Sequence, residues 1–333
     1  MDSGLRMMTT ESTMKPAMKS TKAFAPASIG NVSLGFDLLG AALQPIDGTK
    51  LGDWVEVTDA REFTLIVDGA FADRLPPGVE NNIVTKCYEF FQDKLAAANK
   101  PLLSIKMHLH KVLPIGSGLG SSASSIVAAF YALNAHAGDP FDKDELLIMM
   151  GELEGQISGS VHYDNVAPSY LGGLVLMTGE LSPVAVQLPC FENWYWVVCY
   201  SGIEVSTAEA RRLLPVQYTL SDTLAFGRQL SVFVHSLYSN NEELAAKMMT
   251  DVIAEQHRKV LLPRFDDARQ ACSQSNALAF GISGSGPTVF AVARKLDDAK
   301  AMQSWLEKEY IQNEDGFSHV CCLSREGTIV IND

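Results

Sequence analysis

A mixed fold of helices and strands in two domains is what the sequence predicts, and three observations carry the prediction. The chain has 333 residues, 47% of them hydrophobic and only 20% charged, enough to bury a sizeable core and to divide into two bodies rather than one or three. Apolar–polar alternation and helical periodicity take turns along the whole length. The mixture then starts afresh after about residue 180, which puts a soft boundary between residues 175 and 185.

The opening "MDSGLRMMTTESTMKPAMKS" carries four methionines after Met1 but no apolar period. Residues 1–21 therefore read as a flexible tail, possessing neither a secretory apolar segment nor a place in the fold. From there the expected division is residues 22–179 and residues 180–333. "KAFAPAS", "DWVEVTDA" and "FTLIVDG" read as strands, and "NNIVTKCYEFFQDKLAAAN" as an amphipathic helix that stops before Pro101. "LLSIKMHLHKVLP" alternates as one long strand leading into a glycine-serine loop. "SSASSIVAAFYALNAHAG" follows as a helix apolar nearly all round, "DKDELLIMMGELEGQ" as a helix with a one-sided apolar face, and "GGLVLMTG" as a strand. The second half gives strand "WYWVVCYS", helix "STAEARRLL" ending at Pro215, a long helix from about Asp222 to Ser239 and two further helices. Then "LAFGISGSGPTVFAVA" runs a second glycine-serine loop straight into an apolar strand. No repeat of 20 to 50 residues interrupts this order.

Composition narrows the function classes. A net charge of -13 with no long basic cluster argues against nucleic acid or an anionic membrane as partner. No run approaches the roughly 18 apolar residues of a membrane span, so a cytoplasmic location is the expectation. Six cysteines (Cys87, Cys190, Cys199, Cys272, Cys321, Cys322) form no C-x-x-C pair and read as buried thiols rather than disulfides or a zinc site.

The loop "LPIGSGLGSSASS", Leu113 to Ser125, is short of side chains. It lacks the lysine of a Walker A loop. Gly118 to Ala123 fits the G-x-G-x-x-A of a dinucleotide fingerprint, but Asp139, at the spacing of the acidic partner, stands between two helices instead of at a strand end. What is left is physical. Glycines admit close backbone approach, and a helix beginning within the serines aims free N–H groups and the positive end of its dipole at the loop. Phosphate binding and a plain strand-to-helix turn whose serines cap the helix both stay open.

Other residues bear on that choice. With Leu146, Leu147, Met150 and Leu153 marking a buried stripe, Glu154 lies about 50 degrees from its centre and faces inward, whereas Glu152 lies about 150 degrees away. An inward carboxylate needs an ion pair or a cation such as magnesium. "SGSVHYDNVAPSYLGG", Ser158 to Gly173, reads as a site loop holding His162, Asp164 and Asn165. Ser206 to Glu209 reads as a capping box that starts a helix with Thr207 and Arg211 on one face. Those two could clamp a small ligand, or Arg211 could be a solvated charge.

Three stretches carry a resemblance. "APASIGNVSLGFDLLG" (Ala25 to Gly40), "PIGSGLGSSAS" (Pro114 to Ser124) and "GISGSGPTVFA" (Gly281 to Ala291) resemble, in order and spacing, the three motifs of the GHMP small-molecule kinases. Within that superfamily the N-x-x-x-G-F-D of the first motif, "HYDNVAP" and "VSTAEAR" are similar to the homoserine kinase branch, from about Lys22 to the C-terminus. Ser33 departs from the pattern, since many relatives have glycine there.

The resemblance implies an α+β, two-domain GHMP kinase fold, its N-terminal half with a left-handed βαβ unit and its C-terminal half ferredoxin-like. It implies transfer of a phosphoryl group from ATP to the side-chain hydroxyl of L-homoserine, for threonine biosynthesis, with Mg2+ as cofactor; a mevalonate or sugar kinase is the alternative. Pro114, Ile115, Gly116, Ser117, Gly118, Leu119, Gly120, Ser121, Ser122, Ala123 and Ser124 would wrap the ATP phosphates, with Asn82 near the nucleotide and Ser122 and Glu154 holding the metal. Asn31, Asp37, His162, Asn165, Thr207, Arg211 and Arg258 would line the amino-acid pocket, Asp37 toward the ammonium group, Asn165 near the accepting hydroxyl, and Arg211 and Arg258 toward the carboxylate. Gly281 to Pro287 would pack beside the phosphate loop. A homodimer and feedback inhibition by L-threonine are further expectations from the resemblance.

Overall fold

Main-chain pairing begins before the first core side chain. In the computed structural model, which describes residues 19–158 and 161–331, Ser20 and Thr21 already pair with Thr58 and Val57. They belong to the first strand and not to the tail assigned above; residues 1–18 lie outside the described residues. The first-half elements are β1 (Ser20–Pro26), β2 (Ser28–Gly30), β3 (Leu39–Pro45), β4 (Gly52–Asp59), β5 (Thr64–Asp68), α1 (Ile83–Ala97), β6 (Ile105–His110), α2 (Ser121–His136), α3 (Lys143–Ser158), α4 (Val166–Leu171) and β7 (Leu174–Met177).

Two of these differ from the sequence reading. The long alternating strand shrinks to β6, because Lys111 to Leu113 leave the sheet to form the entry of the glycine loop. The stretch read as a site loop becomes helical at Val166: α4 is buried throughout, and Pro168 is tolerated because it stands in the first turn, where its missing N–H has no intrahelical role. Residues 159 and 160 of that stretch lie outside the described residues.

The remaining elements are β8 (Ala185–Leu188), β9 (Tyr195–Tyr200), α5 (Thr207–Arg212), α6 (Leu220–Tyr238), α7 (Glu242–Met248), α8 (Glu255–Arg258), α9 (Phe265–Gln274), β10 (Ala279–Ile282), β11 (Val289–Ala293), α10 (Leu296–Glu309), β12 (Phe317–Leu323) and β13 (Ile329–Ile331). At α5 the Ser206 hydroxyl accepts from the Glu209 N–H, and the full reciprocal capping box occurs at Thr219 and Asp222 of α6.

The strands make two sheets. The first has the order β13-β1-β4-β6-β5, antiparallel except for the β5–β6 pair. Its inward residues Val55, Val57, Ile105, Met107 and Leu109 pack under α1, α2 and α3, and α2 buries thirteen of its sixteen residues between sheet and outer helices, the all-round apolar surface expected of it. The second sheet runs β10-β11-β9-β12-β3-β7-β8, with β2 alongside β3. One face of it packs on α9 and α10, the other on α6 and α7. The halves of the chain are thus laced together. β3 sits in the middle of the second sheet, between β12 and β7, and β13, from the far end of the chain, pairs with β1 so that Ile331 faces Lys22. Among the described residues the cysteines form no disulfide, and Cys87, Cys199, Cys272 and Cys321 are buried.

Candidate active site

The glycine loop leaves β6 and enters α2 through three positive φ angles, Gly116 at 62°, Gly118 at 82° and Gly120 at 68°, a conformation open to residues without a Cβ. A Cβ on Gly118 would come within 2.4 Å of the Ser283 carbonyl oxygen, and one on Gly120 within 2.4 Å of the Ser28 hydroxyl and 3.0 Å of Asn165 Oδ1. The serines do not cap α2. Gly120 is the N-cap, with no side-chain hydrogen bond, while the Ser121, Ser122, Ser124 and Ser125 hydroxyls donate to the Leu113 carbonyl, Glu154, the Ala25 carbonyl and Asp53 respectively. The first-turn N–H groups of α2 are therefore not taken up by these hydroxyls, and the serine-capping reading of the loop falls away.

A cleft of about 560 Å³ opens over this loop. Asn31, Asp37, Asn82, Ser122, Glu154, His162, Asn165, Thr207, Arg211 and Arg258 line it, with Ile115 to Gly118, Gly120 and Ser121 of the loop. Pro114, Leu119, Ala123 and Ser124, also expected at the phosphates, do not line it, and the last three are turned into the core. Glu154 Oε1 accepts from the Ser122 hydroxyl at 2.8 Å, and burial raises the carboxyl above its ordinary pKa while Ser122 and Lys111 oppose the shift. A hydroxyl and a carboxylate side by side at the loop form the hard oxygen pair that a magnesium ion takes. The residues fit it.

On the acceptor side, Asp37 holds two hydrogen bonds from Arg211 Nη2, 3.0 and 2.8 Å, with His162 Nδ1 3.7 Å away. Arg258 is buried, its Nε on the Ala210 carbonyl at 3.2 Å and its Nη1 on the Gly284 carbonyl at 3.0 Å, and both guanidinium groups lie near the Phe36 ring. Burial lowers the His162 pKa, Asp37 opposes that, and the two arginines add to it. Asp164 is buried between Asp37 and Glu154, and desolvation with those like charges pushes its pKa up to about 7. Asn165 joins the two halves of the cleft, its Oδ1 accepting from Ser28 at 3.0 Å and its Nδ2 donating to Asp164 at 3.4 Å.

Two residues placed at ligands are committed to architecture as well. Asn31 donates to the Gly284 carbonyl and accepts from the Asp37 N–H, so it fixes the residue beside it. Asn82 caps α1 through the Val84 N–H. The third motif packs as expected: Ser283 donates to the Gly118 carbonyl at 2.6 Å, and the Thr288 N–H to the Ser117 carbonyl at 3.1 Å.

Comparison with known proteins shows the family. Residues 82–173 match the family model described as GHMP kinases N terminal domain, and residues 233–312 the model described as GHMP kinases C terminal. The crystal structure of homoserine kinase from Cytophaga hutchinsonii is 34% identical, with a TM-score of 0.83, and the match covers 98% of this chain and 100% of that one. This chain belongs to the GHMP kinases. More distant structures share the fold. A homoserine kinase candidate from Listeria monocytogenes is 22% identical over 94% of this chain and 99% of that one, with a TM-score of 0.70. The L. major mevalonate kinase in complex with R-mevalonate is 16% identical over 92% and 97%, with a TM-score of 0.64.

As a GHMP kinase the chain has the two-domain α+β fold expected of it. Four residues in or behind the kinase cleft escaped the sequence reading or received no role there. Ser28 and Asp164, which hold Asn165, are spaced 137 and 1 residues from it; only "HYDN" hinted at the second. Lys111 and Asp53, beneath the loop, read as an ordinary strand end and strand start. No helix among the described residues is long and apolar enough to cross a membrane.

Proposed function

We propose that this kinase transfers the γ-phosphoryl group of ATP to the side-chain hydroxyl of L-homoserine, giving O-phospho-L-homoserine for threonine biosynthesis. The observation that carries this reading is the charge arrangement in the cleft. Asp37, Arg211 and Arg258 converge beside an anion-receiving loop, which suits a zwitterionic acceptor: the Asp37–Arg211 pair separates, the carboxylate taking the ammonium group and the guanidinium groups the substrate carboxylate. Mevalonate or a neutral sugar would bring no cationic group to Asp37. The resemblance of 34% to a homoserine kinase over nearly the whole chain supports the same acceptor.

Each residue then has a task. The loop N–H groups cradle phosphate oxygens, and Ser122 and Glu154 would hold Mg2+, which would supply positive charge beside the phosphates. Asn165 sets the acceptor hydroxyl in line, and Ser28 fixes the amide. A loose phosphoryl-transfer transition state asks for alignment and charge neutralisation rather than a strong base, so no obligatory base is assigned.

The test is an ADP-release assay with homoserine, serine, threonine, mevalonate and galactose. Homoserine is turned over best. Glu154→Ala loses about 100-fold or more in kcat, and Arg258→Ala loses homoserine affinity while ATP binding, by calorimetry, is kept. Millimolar threonine raises the homoserine KM without lowering kcat. Preferred turnover of mevalonate or galactose overturns the reading.

A further inference from the structure

Beneath the glycine loop lies a charged pair that the proposed chemistry does not use. Lys111, the first residue after β6, and Asp53, in β4, are 2% and 0% exposed with Nζ 2.5 Å from Oδ2. All three ammonium protons are engaged: the other two go to the Ser121 carbonyl and the Ser125 hydroxyl, each at 3.0 Å. Asp53 is equally occupied. Its Oδ1 accepts from the Val112 and Leu113 N–H groups at 2.8 and 3.0 Å, and its Oδ2 also takes the Ser125 hydroxyl at 2.6 Å. Its own N–H donates to Ser124 Oγ at 2.9 Å.

The partners fall in two groups. Val112 and Leu113 are the entry of the loop, and Ser121, Ser124 and Ser125 are its exit into α2. A pair so deeply buried contributes little net stability over an apolar pair of the same size, because both charges must be desolvated. What the ion pair provides that an apolar pair lacks is direction: five hydrogen bonds from its two side chains that fix the two ends of a loop with few side chains of its own.

We propose that Asp53 and Lys111 are a positioning pair that holds the glycine loop in its phosphate-receiving shape, Lys111 acting through Ser121 and Ser125 and not on the phosphates. This rests on the loop being the ATP site. Lys111 borders the cleft, and for that reason it could be mistaken for a displaced Walker lysine; but an ammonium group with three partners must release one to reach a phosphate. Asp53, wholly buried, is not among the residues that line the cleft, so an effect of its removal on nucleotide affinity has to travel through the loop.

The experiment compares wild type, Asp53→Asn, Lys111→Met and the double variant by calorimetry with MgATP, steady-state kinetics and thermal melting. Positioning predicts that each single variant, at temperatures where it is folded, weakens ATP binding about ten-fold or more. It also predicts an ATP KM raised in parallel, a homoserine KM nearly unchanged, and a double variant less impaired than the product of the singles. If Asp53→Asn binds ATP as wild type does while Lys111→Met fails, Lys111 touches phosphate directly and the proposal is overturned. If both variants lower only the melting temperature, the pair is merely structural and the proposal is likewise overturned. Failure of the wild type itself to bind ATP removes the nucleotide reading of the loop and the proposal with it.

Discussion

Asp164 shows how much one buried carboxyl can report. Desolvation, then the Asp37 charge, raise it from 3.8 to about 7. Between those two values the folded chain keeps a proton that the unfolded chain has lost, so the stability this group contributes is full below about pH 4 and is lost as the pH rises through about 7. Asp164→Asn, neutral at every pH, is therefore expected to melt increasingly above wild type as the pH goes from about 5 to about 8, by on the order of a few kcal/mol. Equal displacement at both pH values would refute the assignment. The same variant tests the absence of an obligatory base: its pH–rate profile keeps the wild-type shape.

The turn before Gly35 carries a second prediction at this scale. Asn31, Val32 and Ser33 have φ of 68°, 46° and 64°, a left-handed run that L-residues adopt at a cost of about 1 kcal/mol each. Ser33 also buries a hydroxyl without a hydrogen-bond partner among the described residues. Ser33→Gly removes both burdens, and the expected result is a gain on the order of 1 kcal/mol, read as a higher urea midpoint with kcat unchanged. A loss of stability would show that the hydroxyl has a use. Glycine, which the family resemblance implies at this place, is what this strain would favour.

At the scale of elements, the glycine loop is fixed from two sides, by its buried base and by the β10–β11 connection. Gly118→Ala probes the second. Its Cβ would meet the Ser283 and Gly286 carbonyl oxygens at 2.4 and 2.9 Å, and backbone atoms cannot swing away, so the two loops must separate. ATP affinity is expected to fall about 100-fold, with a stability loss of about 1–3 kcal/mol; unaltered ATP binding would mean that the loops move independently. Most regular elements were legible in the sequence because their apolar period is strong, as in α1, α2 and β4. Those missed have weak local signals. β3 is "LGAALQP", small residues whose burial comes from neighbours on both sides, and α4 hides behind a proline that reads as a turn. The site was legible where local pattern carries it, as at Glu154, turned inward by the helical period and found buried against Ser122, and at the glycine loop. Lys111 and Asp53 were not, since a lysine ending a strand looks solvated until its partner, 58 residues away, is folded against it.

For the whole molecule, the interleaving of the halves has a measurable result. β3 gives the second sheet a central strand, and β13 returns to pair with β1. The division at residues 179 and 180, read from where the strand and helix pattern starts afresh, then does not separate two folding units. A fragment spanning residues 22–179 would leave β3 without β12 and β1 without β13, exposing main-chain groups and apolar surface. It is expected not to fold alone, and the full chain to melt in a single transition; two resolved transitions, or a folded fragment by circular dichroism, would contradict this.

The facing of Lys22 and Ile331 across β1 and β13 has one more consequence. The described chain closes on itself in space, so its linear order is a convenience of synthesis and not a demand of the architecture. A few flexible residues could join residue 331 to residue 20, and the exposed turn at residues 178–183 could be cut instead. Such a circular permutant would carry the same cleft on a chain that starts in the middle.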